Sequence, residues 1–183
     1  KLANGSGCGN EMATERPMVR KFIVDSVKYW AQEYHIDGFR FDLMGLIDQE
    51  TMGEVERVLH NIDSSIILYG EPWAALQPQL SRDKLMTKGA QRGMKIAVFN
   101  DDFRRAVKGE SDDESRGFAN GGGINRGEIK KGLTGSIAYN SELHGFAHVP
   151  GESVNYVSSH DNLTLWDKLQ ISNREKDIED KIR

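Results

Sequence analysis

Three acidic residues stand at the ends of short apolar runs. Asp42 closes Gly38-Phe39-Arg40-Phe41-Asp42, Glu71 follows Ile66-Ile67-Leu68-Tyr69-Gly70, and Asp161 lies in Ser159-His160-Asp161-Asn162, after Val154-Asn155-Tyr156-Val157-Ser158. One carboxylate in such a place is an ordinary helix cap. Three of them, with Arg40 and His160 alongside, point elsewhere. Like charges repel, and a fold gathers them where the perturbed ionisation is used. Paired carboxylates in unlike environments suit glycosyl transfer: one stays ionised and attacks the sugar carbon, while the other holds a proton for the leaving oxygen. In the retaining form of that chemistry the two groups sit about 5–5.5 Å apart. Adjacent strands, about 4.8 Å apart, can supply that spacing.

The elements that must position these residues alternate. Pro17 suits a first helical turn, and Val19, Phe22, Ile23, Val27, Trp30 and Tyr34 recur at helical steps as an apolar face. A strand is expected near Gly38 to Phe41, and a helix from about Gln49 to His60 with Met52, Val55, Leu59 and Ile62 on one side. The unbroken run Ile66 to Tyr69 suits a strand covered on both faces. Further strands are expected at Met94 to Phe99 and at Val154 to Ser158. Helices are expected after Asp101 and Leu163, and a helical turn from Glu128 to Leu133. Between them run two loops: a glycine- and charge-rich excursion from Gly109 to Arg126 with Gly121-Gly122-Gly123 in it, and Tyr139 to Glu152.

Such alternation implies parallel strands joined by crossover helices, an α/β fold with no short repeat and no second domain. Parallel strands share one C-terminal face, where active sites are built. Asp42, Glu71 and Asp161 are then expected at a common mouth, although 29 and 90 residues separate them along the chain.

The bulk numbers exclude some classes. A formal net charge of −4 over 183 residues, with no block of Lys and Arg, argues against a nucleic-acid binder. No stretch approaches the roughly 20 apolar residues that span a bilayer. Cys8 is the single cysteine, so neither a disulfide framework nor a cysteine-rich zinc site is available; a loop position near the substrate rim is expected for it. Neither glycine-rich stretch has the spacing of a phosphate loop. No cofactor is required by the expected chemistry. His144 and His148 have a spacing that a metal could use, but a structural loop is the expectation. Calcium is possible without a dedicated motif, and Asp112-Asp113-Glu114 reads as a solvated turn.

The three acidic motifs together resemble the alpha-amylase superfamily of glycoside hydrolases. Asp37-Gly38-Phe39-Arg40-Phe41-Asp42 is similar to its strand-four motif, Glu71 in Tyr69-Gly70-Glu71-Pro72-Trp73 to its strand-five acid, and Ser159-His160-Asp161-Asn162 to its strand-seven motif. Gly7-Cys8-Gly9-Asn10-Glu11, Glu15-Arg16-Pro17-Met18-Val19, Gly70-Glu71-Pro72-Trp73 and Lys88-Gly89-Ala90-Gln91 before Val98-Phe99-Asn100-Asp101 resemble the type I pullulanase branch.

The resemblance implies a part of a (β/α)8 TIM barrel, roughly strands four to seven with their helices. The whole of 1–183 would be one stretch of a single catalytic domain, cut at both ends. It implies retaining hydrolysis of α-1,6 branch linkages in pullulan, amylopectin or related α-glucans. Asp42 would be the nucleophile, Glu71 the acid and then the base, and Asp161 the residue that stabilises the transition state by holding sugar hydroxyls. Arg40 would keep Asp42 ionised, the alternative being a structural ion pair. His160 and Asn162 would contact the substrate. Trp73 is open between a subsite wall and a core aromatic; Trp30 and Trp166 are expected in the core.

Another specificity of the same superfamily, of the isoamylase or glycogen-debranching type, or a truncated carbohydrate-binding relic, would carry the same residues. The superfamily's strand-three motif has no match here and is expected upstream. The chain begins without Met and ends in the charged run Lys176 to Arg183, so any targeting segment is expected outside it. By itself, half a barrel exposes strand edges and is expected to be inactive.

Overall fold

A computed structural model describes residues 2–122, 126–138, 144–175 and 177–179. Gly123 of the glycine run, 139–143 of the second expected loop, and Lys176 and 180–183 of the charged end lie outside the described residues. The chain divides into two compact units, Lys1–Phe99 and Asn100–Arg183.

In the first unit, helix α1 spans Pro17–Tyr34, strand β1 Gly38–Phe41, helix α2 Gln49–Ile62, strand β2 Ile67–Gly70 and strand β3 Ala97–Phe99. Pro17 occupies the start of α1 as expected, and the helix ends at His35 in the left-handed region, whose N–H returns to the Trp30 carbonyl. Helix α2 starts at Asp48, whose side chain accepts the Thr51 N–H at 2.9 Å. The strands pair in parallel, β1 with β2 and β2 with β3, with Phe41 level with Gly70 and Tyr69 level with Ala97. The fold is therefore α/β, as the alternation implies.

The core of this unit lies between the helices and the sheet. Met52, Val55 and Leu59 of α2 are fully buried, each contributing roughly 1.5–3 kcal/mol. On α1 the buried residues are Val24, Val27 and Ala31; of the expected face, Val27 is buried and Val19 and Ile23 are half-buried. Phe22, Trp30 and Tyr34 are exposed, which corrects the assignment of Trp30 to the core. The reason is the width of the helix contact. Small side chains let α1 approach α2, and the bulky rings turn outward, where Tyr29, Trp30 and Tyr34 pack on one another at centroid distances of 4.6–6.0 Å. Strand β2 also departs from expectation: Leu68 is buried but Ile67 is 63% exposed, so burial alternates instead of covering both faces.

The second unit carries helix α3, Asp101–Lys108, helix α4, Arg126–Leu133, the short strand β4, Ser153–Val154, and helix α5, Leu165–Ser172. Strand β4 is shorter than the expected run to Ser158, because only Ser153 and Val154 take strand pairing. Buried Asn100 caps α3 by accepting the Phe103 N–H at 3.1 Å and donates toward Ser136 and Asn155, both at 2.8 Å. Gly132 of α4 lies so close to the Phe103 ring that an added Cβ would fall 2.1 Å from it. Thr164 and Asp167 form a reciprocal capping box at the start of α5. Trp166, expected in the core, is 46% exposed, because α5 buries Lys168 and Ser172 instead.

Candidate active site

The ends of β1 and β2 build a corner in the first unit. Arg40 and Asp42 are two residues apart, so a strand sends both side chains to one face. Because Phe41 is level with Gly70, Asp42 and Glu71 are the next residues off two adjacent strands. The Arg40 guanidinium joins them: Nη2 donates to Glu71 Oε1 at 2.9 Å, and Nη1 lies 3.3 Å from Asp42 Oδ1.

The two carboxylates have unlike surroundings. Asp42 is 72% exposed, while the Glu71 side chain is 8% exposed. A buried carboxylate needs its oxygens satisfied. Here Glu71 Oε2 accepts the backbone N–H of Leu43 at 2.8 Å while Oε1 takes Arg40. Arg40 was expected to serve Asp42. The guanidinium reaches both, and its shorter contact is to Glu71, the one that water cannot solvate.

Two glycines permit this arrangement. At Gly70 a Cβ would meet the Phe41 carbonyl at 2.6 Å, and at Gly45 it would meet the Trp73 backbone at 2.6 Å. The segment after β2 is thereby laid directly on the turn after β1. The Leu43 N–H to the Glu71 carboxylate and the Gly45 N–H to the Glu71 carbonyl at 2.9 Å lock the two segments. Leu43 pays for its role with a left-handed backbone, φ 42.

Trp73, left open by the sequence, is half-buried. Its ring stands 6.5 Å from that of Phe99, which also meets Tyr69 at 5.6 Å and lies 5.6 Å from the Arg40 guanidinium carbon. Beside Trp73 opens a cleft of about 280 Å³, lined by Gly45, Pro72, Leu76, Arg82 and Leu85 among others. The loop around Cys8 is exposed and is tied to the segment after Trp73 by Glu11. The two oxygens of Glu11 accept the N–H groups of Gly5 and Gln79 at 2.6 and 2.7 Å.

Asp161, His160 and Asn162 belong to the second unit. His160 Nε2 lies 3.5 Å from Asp161 Oδ2, with both side chains well exposed. Asn162 takes a positive φ of 63 and donates to Asp112 Oδ2 at 2.9 Å. The sequence proposed the acidic residues of both turns as site residues. It missed the Leu43 amide, Phe99, Glu11 and Asp112. A backbone donor leaves no signal in residue type. Phe99 ends an expected strand, and that position was the available hint.

Among the described residues no group of three or more His, Cys, Asp and Glu is gathered as for a metal ion. His148 sits in a turn where its N–H donates to buried Glu152 at 2.7 Å. No described helix is long and apolar enough to cross a membrane.

Comparison with known proteins follows the same line. No protein-family model matches the sequence. The chain is 41% identical over 171 residues to a pullulanase of Bacillus subtilis, an alignment covering 93% of this chain. It spans 24% of that relative's length. The solved pullulanase of Bacillus acidopullulyticus superposes with a TM-score of 0.93 at 49% identity, over 100% of this chain and 22% of that one. A pullulanase of Paenibacillus barengoltzii, solved in complex with maltohexaose and alpha-cyclodextrin, superposes with a TM-score of 0.93 at 44% identity, over 100% of this chain and 28% of that one.

Proposed function

From a chain that is homologous to pullulanases over nearly its whole length, we propose that this stretch supplies the catalytic carboxylates of a longer, retaining α-glucan debranching enzyme. Its strands correspond to about strands four to seven of an eight-stranded barrel in this reading, and the substrate is an α-1,6-branched glucan such as pullulan or amylopectin. The observation that carries it is the Arg40 guanidinium spanning Asp42 and Glu71 at level ends of adjacent parallel strands.

The proposed reaction has two steps and needs no cofactor. In the first, Glu71 gives its proton to the glycosidic oxygen as the bond from that oxygen to C1 breaks, and an Asp42 oxygen bonds to C1. In the second, Glu71, now a carboxylate, takes a proton from water. The water oxygen bonds to C1 and the ester bond to Asp42 breaks. Asp42, open to solvent, is accessible for attack. Glu71, buried and held by two donors, is oriented before substrate arrives. Arg40 is shared, so a proton on Glu71 weakens its hold there and shifts it toward Asp42, the partner that must stay ionised. Asp161 and His160 hold sugar hydroxyls, and Trp73 stacks on a sugar face. That Asp161 joins the corner is part of the proposal.

The test is Glu71→Gln in the longer enzyme with pullulan as substrate. Turnover is expected to fall by about 10²–10⁴-fold while substrate binding is largely kept. Equal rates in variant and parent would remove Glu71 from the mechanism.

A further inference from the structure

The second unit contains a buried lysine that the proposed reaction does not use. Lys108, the last residue of α3, is 1% exposed. Taking an ammonium out of water is costly unless its donors are met. Its Nζ donates to the carbonyl of Leu163 at 2.5 Å, two residues beyond Asp161. Burial first, and then the nearby Arg104 and Lys168, hold its pKa below the ordinary lysine value, against the pull of Asp112 and Asp167.

The same turn is gripped from a second side. The segment Asp112-Asp113-Glu114 is exposed, as expected of a solvated turn, and it also acts as a strap. Asp112 accepts from Asn162 at 2.9 Å, Asp113 pairs with fully buried Lys168 of α5 at 3.1 Å, and Glu114 pairs with Arg174 at 3.0 Å. Beyond the turn, the Leu165 N–H donates to Ser158 Oγ at 2.9 Å. Asn162 takes a left-handed conformation, which Asn tolerates better than most residues.

We infer that Lys108 and Asp112 are positioning residues that fix how the His160–Asp161–Asn162 turn presents Asp161 to the sugar, Lys108 through the Leu163 carbonyl and Asp112 through the Asn162 amide. The inference rests on the function proposed above. Neither residue touches substrate. Lys108 holds the backbone two residues after Asp161 and Asp112 holds the side chain of the residue just after it, and an error of about 1 Å in such placement can cost on the order of 10²-fold in rate.

The experiment is a double-mutant cycle in the longer enzyme, with pullulan as substrate and thermal midpoints recorded for every variant. Asp161→Ala is measured first. Full activity in that variant would overturn the role of Asp161, and with it this inference, before Lys108 is touched. Given a loss there, Lys108→Met is expected to lower kcat at least about 10-fold with KM little changed. It should cause no further loss in the Asp161→Ala background, and Lys108→Arg should recover part of the activity. An equal loss in both backgrounds would show a structural role alone and overturn the inference, as would unchanged kcat in Lys108→Met. If Lys108→Met does not fold, Asp112→Ala, in the exposed strap, carries the same cycle with the same two outcomes.

Discussion

The two turns that hold the candidate site residues are secured by different means. In the first unit, Asp42 and Glu71 follow directly from strand register, and the bonds that fix them are mostly backbone bonds: Leu43 N–H to Glu71, Gly45 N–H to its carbonyl, Glu71 N–H to the Phe41 carbonyl at 3.1 Å. In the second unit, β4 ends at Val154 and the turn bearing Asp161 comes six residues later, so side chains from α3 and the acidic strap do the holding. Register fixes a carboxylate as rigidly as the sheet itself. A strapped turn can be adjusted or loosened by surface substitutions. The division suits a proposed nucleophile and acid on the rigid side and a proposed sugar-holding residue on the adjustable side.

The sharpest way to break this comparison is to delete one carboxylate from each turn in the longer enzyme. Asp42→Ala is expected to cut turnover on the order of 10⁴-fold. Asp161→Ala should cost about 10²–10³-fold, the range for losing a transition-state contact. The reverse ranking on pullulan would exchange the roles assigned to the two turns.

A smaller effect sharpens the account of the rigid corner. Arg40→Ala leaves buried Glu71 Oε1 without its donor and is expected to destabilise by about 1–3 kcal/mol, read as a lower urea midpoint at unchanged m-value. Adding Glu71→Gln to Arg40→Ala should recover part of that loss, because a neutral amide in the pocket no longer needs a cation. A double variant with fully additive losses would contradict the pairing.

The smallest effect concerns the scaffold under the corner. Burial would raise the Asp48 pKa, but hydrogen bonds from Thr51 and Thr14, with the Arg20 charge, outweigh it and hold the carboxyl below its ordinary value. A depressed folded value means that this stability is present above the unfolded pKa and lost as pH falls through the folded one. Asp48→Asn should therefore cost about 1 kcal/mol at neutral pH and less on acidification, measured by urea titrations across the acid limb. A constant difference at all pH values would show that the charge is idle.

Much of this was legible in the chain. Periodicity located α2 and alternation located the strand at Gly38–Phe41, and a short helix was expected where α3 lies. The failures share a cause. Trp30, Trp166 and Ile67 were assigned to buried surfaces because apolar residues recur there, yet which stripe of a helix is buried depends on what packs against it. Spacing alone does not reveal that small Val24, Val27 and Ala31 admit a neighbouring helix where rings would not. Lys108 was invisible for the opposite reason: a charged residue reads as solvated until a third element is seen to cover it.

The account stands most directly on the anomer that leaves the site. Level ends of adjacent strands make Asp42 and Glu71 neighbours, and the proposed function takes them as a closely spaced pair, which favours attack by the enzyme rather than by water. Proton NMR of the first reducing sugar released from pullulan by the longer enzyme should show the α-anomer before mutarotation. Initial release of the β-anomer would contradict it.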